Sequence, residues 1–489
     1  MKKNILILLL LACSFMGHAQ VNRPKLVVGI VVDQMRWDYL YYYNKEFVEG
    51  GFKRLLAEGY SCENTMIPYI PTVTAIGHSS IYTGSVPALT GILGNSFFIN
   101  GKNTYCCGDD NVQSVGSSSK EGKMSPRNLL ASTIGDELKL ATDFKSKVIG
   151  VALKDRAAIL PAGHSADAAY WWDTSAGHFV TSTYYMDKLP SWAVEFNKKH
   201  QQKPGSDIKS KPQGVTMTFD MAEAALKNER LGLGTETDML AVSVSSTDII
   251  GHMYSTRGPE IHDAYIQLDR DLARFFNTLD AQVGRGNYLV FLTADHGGSH
   301  NPNFMRSHKL AAGGFAGWNL TKEINKELQQ SFGTKVNFIL GENALRIYFD
   351  RKSIADAGLE LAKVKAKAKQ LLEKKENITY VVDYDNAATQ PIAQPIRERI
   401  INGYNRERGG DLLIITNPGW VNCPSSPDYK GTNHGLWNPD DSHIPLIFMG
   451  WGITPGATLH PTSMTDIAPS VCSMLHIQMP NACVGNPVF

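Results

Sequence analysis

The chain has 489 residues, 43% of them hydrophobic and 19% charged, with a formal net charge of +1. That composition suits a globular protein with a large core and room for a second lobe. The near-neutral balance excludes a basic nucleic-acid binder and a polybasic membrane-surface protein, so any anion site must be local.

The first residues read as a targeting segment. Lys2 and Lys3 precede an apolar run, Ile5 to Leu11, that is too short to span a bilayer. Gly17-His18-Ala19 supplies the small residues expected for cleavage after Ala19, leaving a mature chain that starts at Gln20. Cys13 is a competing lipoprotein site, disfavoured by Leu11 two places before it. No later stretch reads as a membrane span, so a periplasmic or secreted, soluble monomer is expected. Six cysteines then remain: Cys62, Cys106, Cys107, Cys423, Cys472 and Cys483. An even count in an oxidising compartment suggests disulfides, and spacing does not choose their pairing. The absence of any Cys-x-x-Cys pair argues against a thiolate metal site.

Six short runs rich in Val, Ile and Leu predict buried strands: Lys25–Val32, Lys147–Leu153, Met239–Val244, Asn287–Thr293, Asp411–Thr416 and Ile444–Met449. Helical patterns lie between several of them. After Gly258-Pro259, for instance, Ile261, Tyr265, Leu268, Leu272, Phe275 and Leu279 recur at three- and four-residue steps. The alternation implies a doubly wound α/β fold with a mainly parallel central sheet flanked by helices. Residues 167–235 and 301–430 interrupt the alternation and read as cap insertions. The core is then residues 20–166, 236–300 and 431–489. Within the insertions, Trp171, Trp172, Tyr184 and Tyr185 read as cap core, with stacking on a leaving group as the alternative. Lys363, Lys365, Lys367 and Lys369 lie largely off an apolar helix face and read as solvated.

Polar residues stand just beyond the carboxyl ends of the strands. Asp33 follows Val31-Val32; Lys154-Asp155-Arg156 follows Val151-Ala152-Leu153; Asp248, with His252 one helical turn on, follows Val244; Asp295-His296 follows Thr293-Ala294. In open α/β sheets the ligand crevice lies at those ends, so four distant segments aim at one site. Asp and His are donors that suit zinc. Between the first two of these ends, Pro71-Thr-Val-Thr74 opens a helix whose start would place the Thr74 hydroxyl beside unpaired N–H groups. Alone, Thr74 is a helix cap and His434 a surface-loop residue. Together they favour a two-metal phosphoryl-transfer site, with ions about 4 Å apart. Lys154 and Arg156, if extended, point the same way and can both face one phosphoryl group.

The segments Val32-Asp33-Gln-Met-Arg36, Thr74-Ala-Ile-Gly-His78, Gly91-Ile-Leu-Gly-Asn95, Lys154-Asp-Arg156, Thr247-Asp248-Ile-Ile-Gly-His252, Ala294-Asp295-His296-Gly297 and Asn433-His434-Gly435 resemble, in order, those of the alkaline phosphatase superfamily. The combination is similar to its phosphate-irrepressible, PafA-type monoesterases. The resemblance implies two zinc ions per chain, one held by Asp248, His252 and His434, the other by Asp33, Asp295, His296 and Thr74. It further implies that Thr74 is the nucleophile, with Thr72 a competing hydroxyl. Asn95, Lys154 and Arg156 would hold the phosphoryl oxygens of small-molecule phosphate monoesters. A nucleotide pyrophosphatase/phosphodiesterase shares the ligands but is disfavoured by Lys154 and Arg156. A sulfatase lacks its Cys- or Ser-x-Pro-x-Arg signature here, and a non-catalytic zinc binder is the remaining alternative.

Overall fold

The computed structural model describes residues 21–489; the segment expected to be a leader and Cys13 lie outside them. Ten strands form the central sheet: β1 (Leu26–Val32), β2 (Gly59–Cys62), β3 (Ser114–Val115), β4 (Val148–Ala152), β5 (Ala168–Asp173), β6 (His178–Ser182), β7 (Asp238–Val244), β8 (Tyr288–Thr293), β9 (Leu446–Gly450) and β10 (Gly456–Thr458). Their order is β10-β2-β9-β8-β1-β7-β4-β5-β6-β3. The middle five, β8 to β5, run parallel. Buried on both faces, they carry near-continuous apolar sequence.

The strand at Ile444–Met449 is realised as β9, but antiparallel to β8. Asp411–Thr416 departs further. Its strand, Leu412–Thr416, belongs to a separate four-stranded sheet with Ile339–Asn343, Arg346–Phe349 and Ile378–Asp383. A buried apolar run fits either sheet equally well, because local sequence carries no information about its pairing partner.

Helices α1 (Thr74–Thr83) and α2 (Asp155–Ala162) pack together beside the sheet. Helices α3 (Pro212–Asn228), α4 (Ser246–Tyr254) and α5 (Pro259–Gln282) form a second packed group. In α5, Leu268, Leu272, Phe275 and Leu279 are fully buried, as their spacing predicts, and Pro259 takes the first turn. Residues 167–235, expected as an insertion, supply β5, β6 and α3 to this main body. Trp171 and Trp172 are buried in β5, which removes them from any leaving-group role. Within residues 301–430, Ile324, Leu328, Phe338, Ile347, Val364 and Leu372 share a hydrophobic cluster separate from that of the main sheet.

Two further expectations change. Lys365 is not solvated: it is buried, and its ammonium lies 2.6 Å from Asp383 and 2.5 Å from Asp385. The six described cysteines are all free thiols, five of them buried. The five buried ones sit inside apolar clusters as small hydrophobes, and the vicinal Cys106 and Cys107 sulfurs are 3.9 Å apart. Among the described residues no helix is long and apolar enough to cross a membrane.

Candidate active site and metal centre

Register brings the carboxylates together. Val32 pairs with Val244 and Val31 with Thr293, so β1, β7 and β8 end level with one another. Asp33, Asp248 and Asp295 follow those ends and are all buried, as is His296. Two overlapping groups of donor atoms result, Asp33–Asp295–His296 and Asp248–His296–His434, each with its atoms within 4.8 Å of one another. His252 joins the second group through Asp248 Oδ1, which lies 3.2 Å from its Nε2 and 3.5 Å from His434 Nε2. The His296 and His434 rings stack at 3.6 Å.

Three histidines share one arrangement. Nδ1 of His252, His296 and His434 lies 3.0, 2.8 and 2.6 Å from the carbonyls of Thr432, Gly297 and Thr72. A nitrogen facing a carbonyl must carry the proton, which leaves each neutral ring with its Nε2 lone pair facing the carboxylates. Burial holds His296 and His434 below the ordinary imidazole range, keeping both neutral. Against its own burial, His252 is raised by the Asp248 carboxylate. Lone pairs facing carboxylates repel unless a cation stands between them. Asp33 Oδ1, Asp295 Oδ2 and His296 Nε2 are accordingly buried without any hydrogen-bond partner. The oxygen and nitrogen donors fit a zinc-type ion.

Charge makes the same point. Among the described residues the one ammonium in contact with these carboxylates is Lys154, whose Nζ is 2.6 Å from both Asp33 Oδ2 and Asp248 Oδ2. Burial, then repulsion by Asp248 and Asp295, pushes Asp33 well above the usual carboxylate range. Burial opposes ionisation of Asp248 too, but His252 and Lys154 hold it well below that range. Three carboxylates facing one lysine leave room for added positive charge.

Thr74 is the first residue of α1, whose N-cap is Val73; the hydroxyl therefore does not occupy the cap position. α1 lies against the cluster of donor atoms because Gly77 permits it: a Cβ there would sit 2.6 Å from that of Asp295. Asn95 is beside Thr74, its Oδ1 accepting the Ala75 N–H at 3.2 Å. Lys154 and Arg156 reach the site differently from the extended pair expected. Lys154 precedes α2 and Arg156 lies in its first turn. Arg156 donates to the Tyr105 hydroxyl at 3.1 Å, and its Nε is buried without a partner.

Sequence reasoning assigned no role to Gln34 or His78. Gln34 adopts φ 62° and donates from Nε2 to Asp248 at 2.6 Å and from its backbone to Asp295 at 3.2 Å. A left-handed residue after a strand has no local signature. His78 Nδ1 is 2.9 Å from the Thr74 carbonyl and 3.3 Å from Asp295 Oδ2, and its Nε2 is 2.7 Å from Ser243 Oγ. Its position four residues after Thr74, on the same helix face, was the available signal.

Comparison with known proteins assigns the chain to a family. The model of the type I phosphodiesterase/nucleotide pyrophosphatase family matches residues 27–437. The alkaline phosphatase PafA of Elizabethkingia meningoseptica is 45% identical, over 99% of this chain and 98% of its own length. The chain belongs to the alkaline phosphatase superfamily. Within it the chain closely resembles the PafA type. The crystal structure of wild-type PafA superposes with a TM-score of 0.91, covering 96% of this chain and 99% of that one. A relative from Myroides odoratus named as a calcium-transporting ATPase is 46% identical over 97% of both chains. The protein is thus a phosphatase of this superfamily with the superfamily's α/β fold.

Proposed function

We propose that this chain is an exported, zinc-dependent alkaline phosphatase that hydrolyses phosphate monoesters through a phosphothreonine intermediate. The supporting observation is the set of partnerless buried atoms, Asp33 Oδ1, Asp295 Oδ2 and His296 Nε2, beside the helix that begins at Thr74. Asp33, Asp295 and His296, with the Thr74 hydroxyl, would hold one zinc; Asp248, His252 and His434 would hold the other. Bound zinc supplies Lewis acidity to the attacking and leaving oxygens.

The chain's own residues do the rest. Thr74 Oγ forms the bond to phosphorus as the ester oxygen departs in line, and water then splits the phosphothreonine to release inorganic phosphate. Asn95, fixed by the Ala75 N–H, holds a non-bridging oxygen through its amide nitrogen. Arg156 and Lys154 serve the remaining charge of the dianion, with Lys154 turning from its carboxylate partners once cations neutralise them. A diester places an uncharged substituent in that position and gains less. The terminal phosphoryl group of ATP presents the same dianionic end, which accommodates the ATPase name of one relative within this chemistry.

Hydrolysis of p-nitrophenyl phosphate and bis-p-nitrophenyl phosphate, with and without chelator and added zinc, tests the proposal. Zinc-restorable activity that strongly favours the monoester is expected. Chelator-resistant turnover, or preference for the diester, would overturn it.

A further inference from the structure

A small hairpin connects two of the proposed phosphoryl-binding residues. Its strands, Ser96–Ile99 and Lys102–Tyr105, pair antiparallel, with Ser96 opposite Tyr105. Asn95 leads into it and Tyr105 leads out, and the Cys106 N–H closes the open end on the Asn95 carbonyl at 2.9 Å. The Asn95 side chain accepts the Ala75 N–H in the first turn of α1, so this end of the hairpin is fixed against the helix that Thr74 begins. Tyr105, at the same end, meets the first turn of α2, where Arg156 lies.

There the Tyr105 hydroxyl stands between a cation and a carboxylate. It accepts from Arg156 Nη1 at 3.1 Å and donates to Asp155 Oδ1 at 2.6 Å. Asp155 Oδ1 also accepts the Arg156 backbone N–H at 2.7 Å, which closes a ring through the three residues. The direct approach of Arg156 Nη1 to Asp155 Oδ1 is 3.8 Å, too long for a hydrogen bond. Burial, then the Asp155 carboxylate, hold the Tyr105 hydroxyl well above the ordinary phenol range, so it keeps the proton that it donates. Among the described residues Asp155 is the only carboxylate that pairs with Arg156. A guanidinium next to a carboxylate closes on it in a two-pronged pair unless something intervenes. The hydroxyl stands where that pair would close.

We propose that Tyr105 is a positioning residue: its hydroxyl keeps Arg156 from closing on Asp155, leaves the guanidinium free for the phosphoryl group, and so strengthens the preference for a dianionic substrate. The inference rests on the phosphomonoesterase reading, in which Arg156 helps to hold the remaining charge of that dianion. Tyr105 touches no reacting atom; its effect passes wholly through Arg156. Without the hydroxyl, Arg156 and Asp155 pair directly, and a cation neutralised by Asp155 is lost to the substrate. A diester, uncharged at that position, loses less.

Steady-state kinetics of the zinc-loaded full chain on p-nitrophenyl phosphate and bis-p-nitrophenyl phosphate provide the test, with Tyr105→Phe, Arg156→Ala and the two combined. Loss of one charge-assisted contact predicts that Tyr105→Phe lowers kcat/KM for the monoester about tenfold, with a smaller loss on the diester. In the Arg156→Ala background Tyr105→Phe should cause no further loss, because the group it positions is gone. Adding Asp155→Asn to Tyr105→Phe should recover most of the monoester rate. A neutral amide does not capture the guanidinium, while its oxygen still accepts the Arg156 N–H. A monoester loss that persists in the Arg156→Ala background, that the diester shares equally, or that Asp155→Asn leaves uncorrected overturns the proposal. So does a Tyr105→Phe variant as active as the parent. A parent enzyme that prefers the diester defeats the monoesterase reading itself and this inference with it.

Discussion

The ammonium of Lys154 stands 2.6 Å from the carboxylate of Asp33, a residue proposed as a metal ligand. The same nitrogen contacts Asp248, at the other group of donors, so one side chain bridges both. Removing it leaves buried carboxylates facing each other, a defect that costs about 3–5 kcal/mol when a buried pair is broken. Lys154→Met should therefore melt far below the parent when metal is stripped. With zinc restored the gap should shrink, because the ions take over the neutralising role. Thermal unfolding with and without chelator measures both, and a gap indifferent to metal would contradict the account.

Thr74→Ala tests the nucleophile separately from the ligands. Turnover of p-nitrophenyl phosphate should fall by at least about a thousandfold, since no covalent intermediate can form. Zinc content should stay near that of the parent, because Asp33, Asp295 and His296 remain. Metal analysis and rate measurements on the same preparation check this; near-normal turnover would point to another nucleophile, with Thr72 first in line.

Asp441 links loops that carry proposed ligands: it accepts the Ser299 hydroxyl at 2.8 Å and the Leu436 N–H at 2.8 Å. Burial raises its carboxyl to about 7. A folded-state value above the unfolded one means that the stability contribution is complete below about pH 4 and is lost as pH rises through 7. Asp441→Asn does not titrate. Its melting temperature relative to the parent should rise between pH 4 and 7 and level off above, and a difference that does not vary with pH would refute the assignment.

Arg346, buried within residues 301–430, donates to the carbonyls of Leu93, Ile70 and Gly403. Ile70 and Leu93 flank Thr74 and Asn95 in sequence, so this one guanidinium ties that segment to the proposed nucleophile's neighbourhood. Arg346→Leu should cost about 3 kcal/mol, through carbonyls left without donors, and should lower kcat for the monoester. Chemical denaturation and steady-state rates would show it; an unaffected kcat would reduce the contact to a purely structural one.

The residues of the candidate site were legible in the sequence because strand ends are a local signal. A short apolar run stops, and the polar residue beyond it falls in the crevice; this marks Asp33, Asp248, Asp295 and His296 without coordinates. The long periodic helix after Pro259 was legible for the same reason, its pattern being contained in its own residues.

What only the tertiary structure decided is whatever depends on partners far along the chain. Leu412–Thr416 reads like any core strand, yet pairs in a different sheet. Residues 167–235 read as an insertion, yet extend the main one. The contacts of Lys154 with Asp33 and Asp248 and the bend that puts Gln34 over both proposed ligand groups are likewise non-local. Hydrophobicity and turn chemistry act over a few residues, and so can be read along the chain. Pairing, register and the meeting of buried charges are settled only when segments hundreds of residues apart compete for the same space.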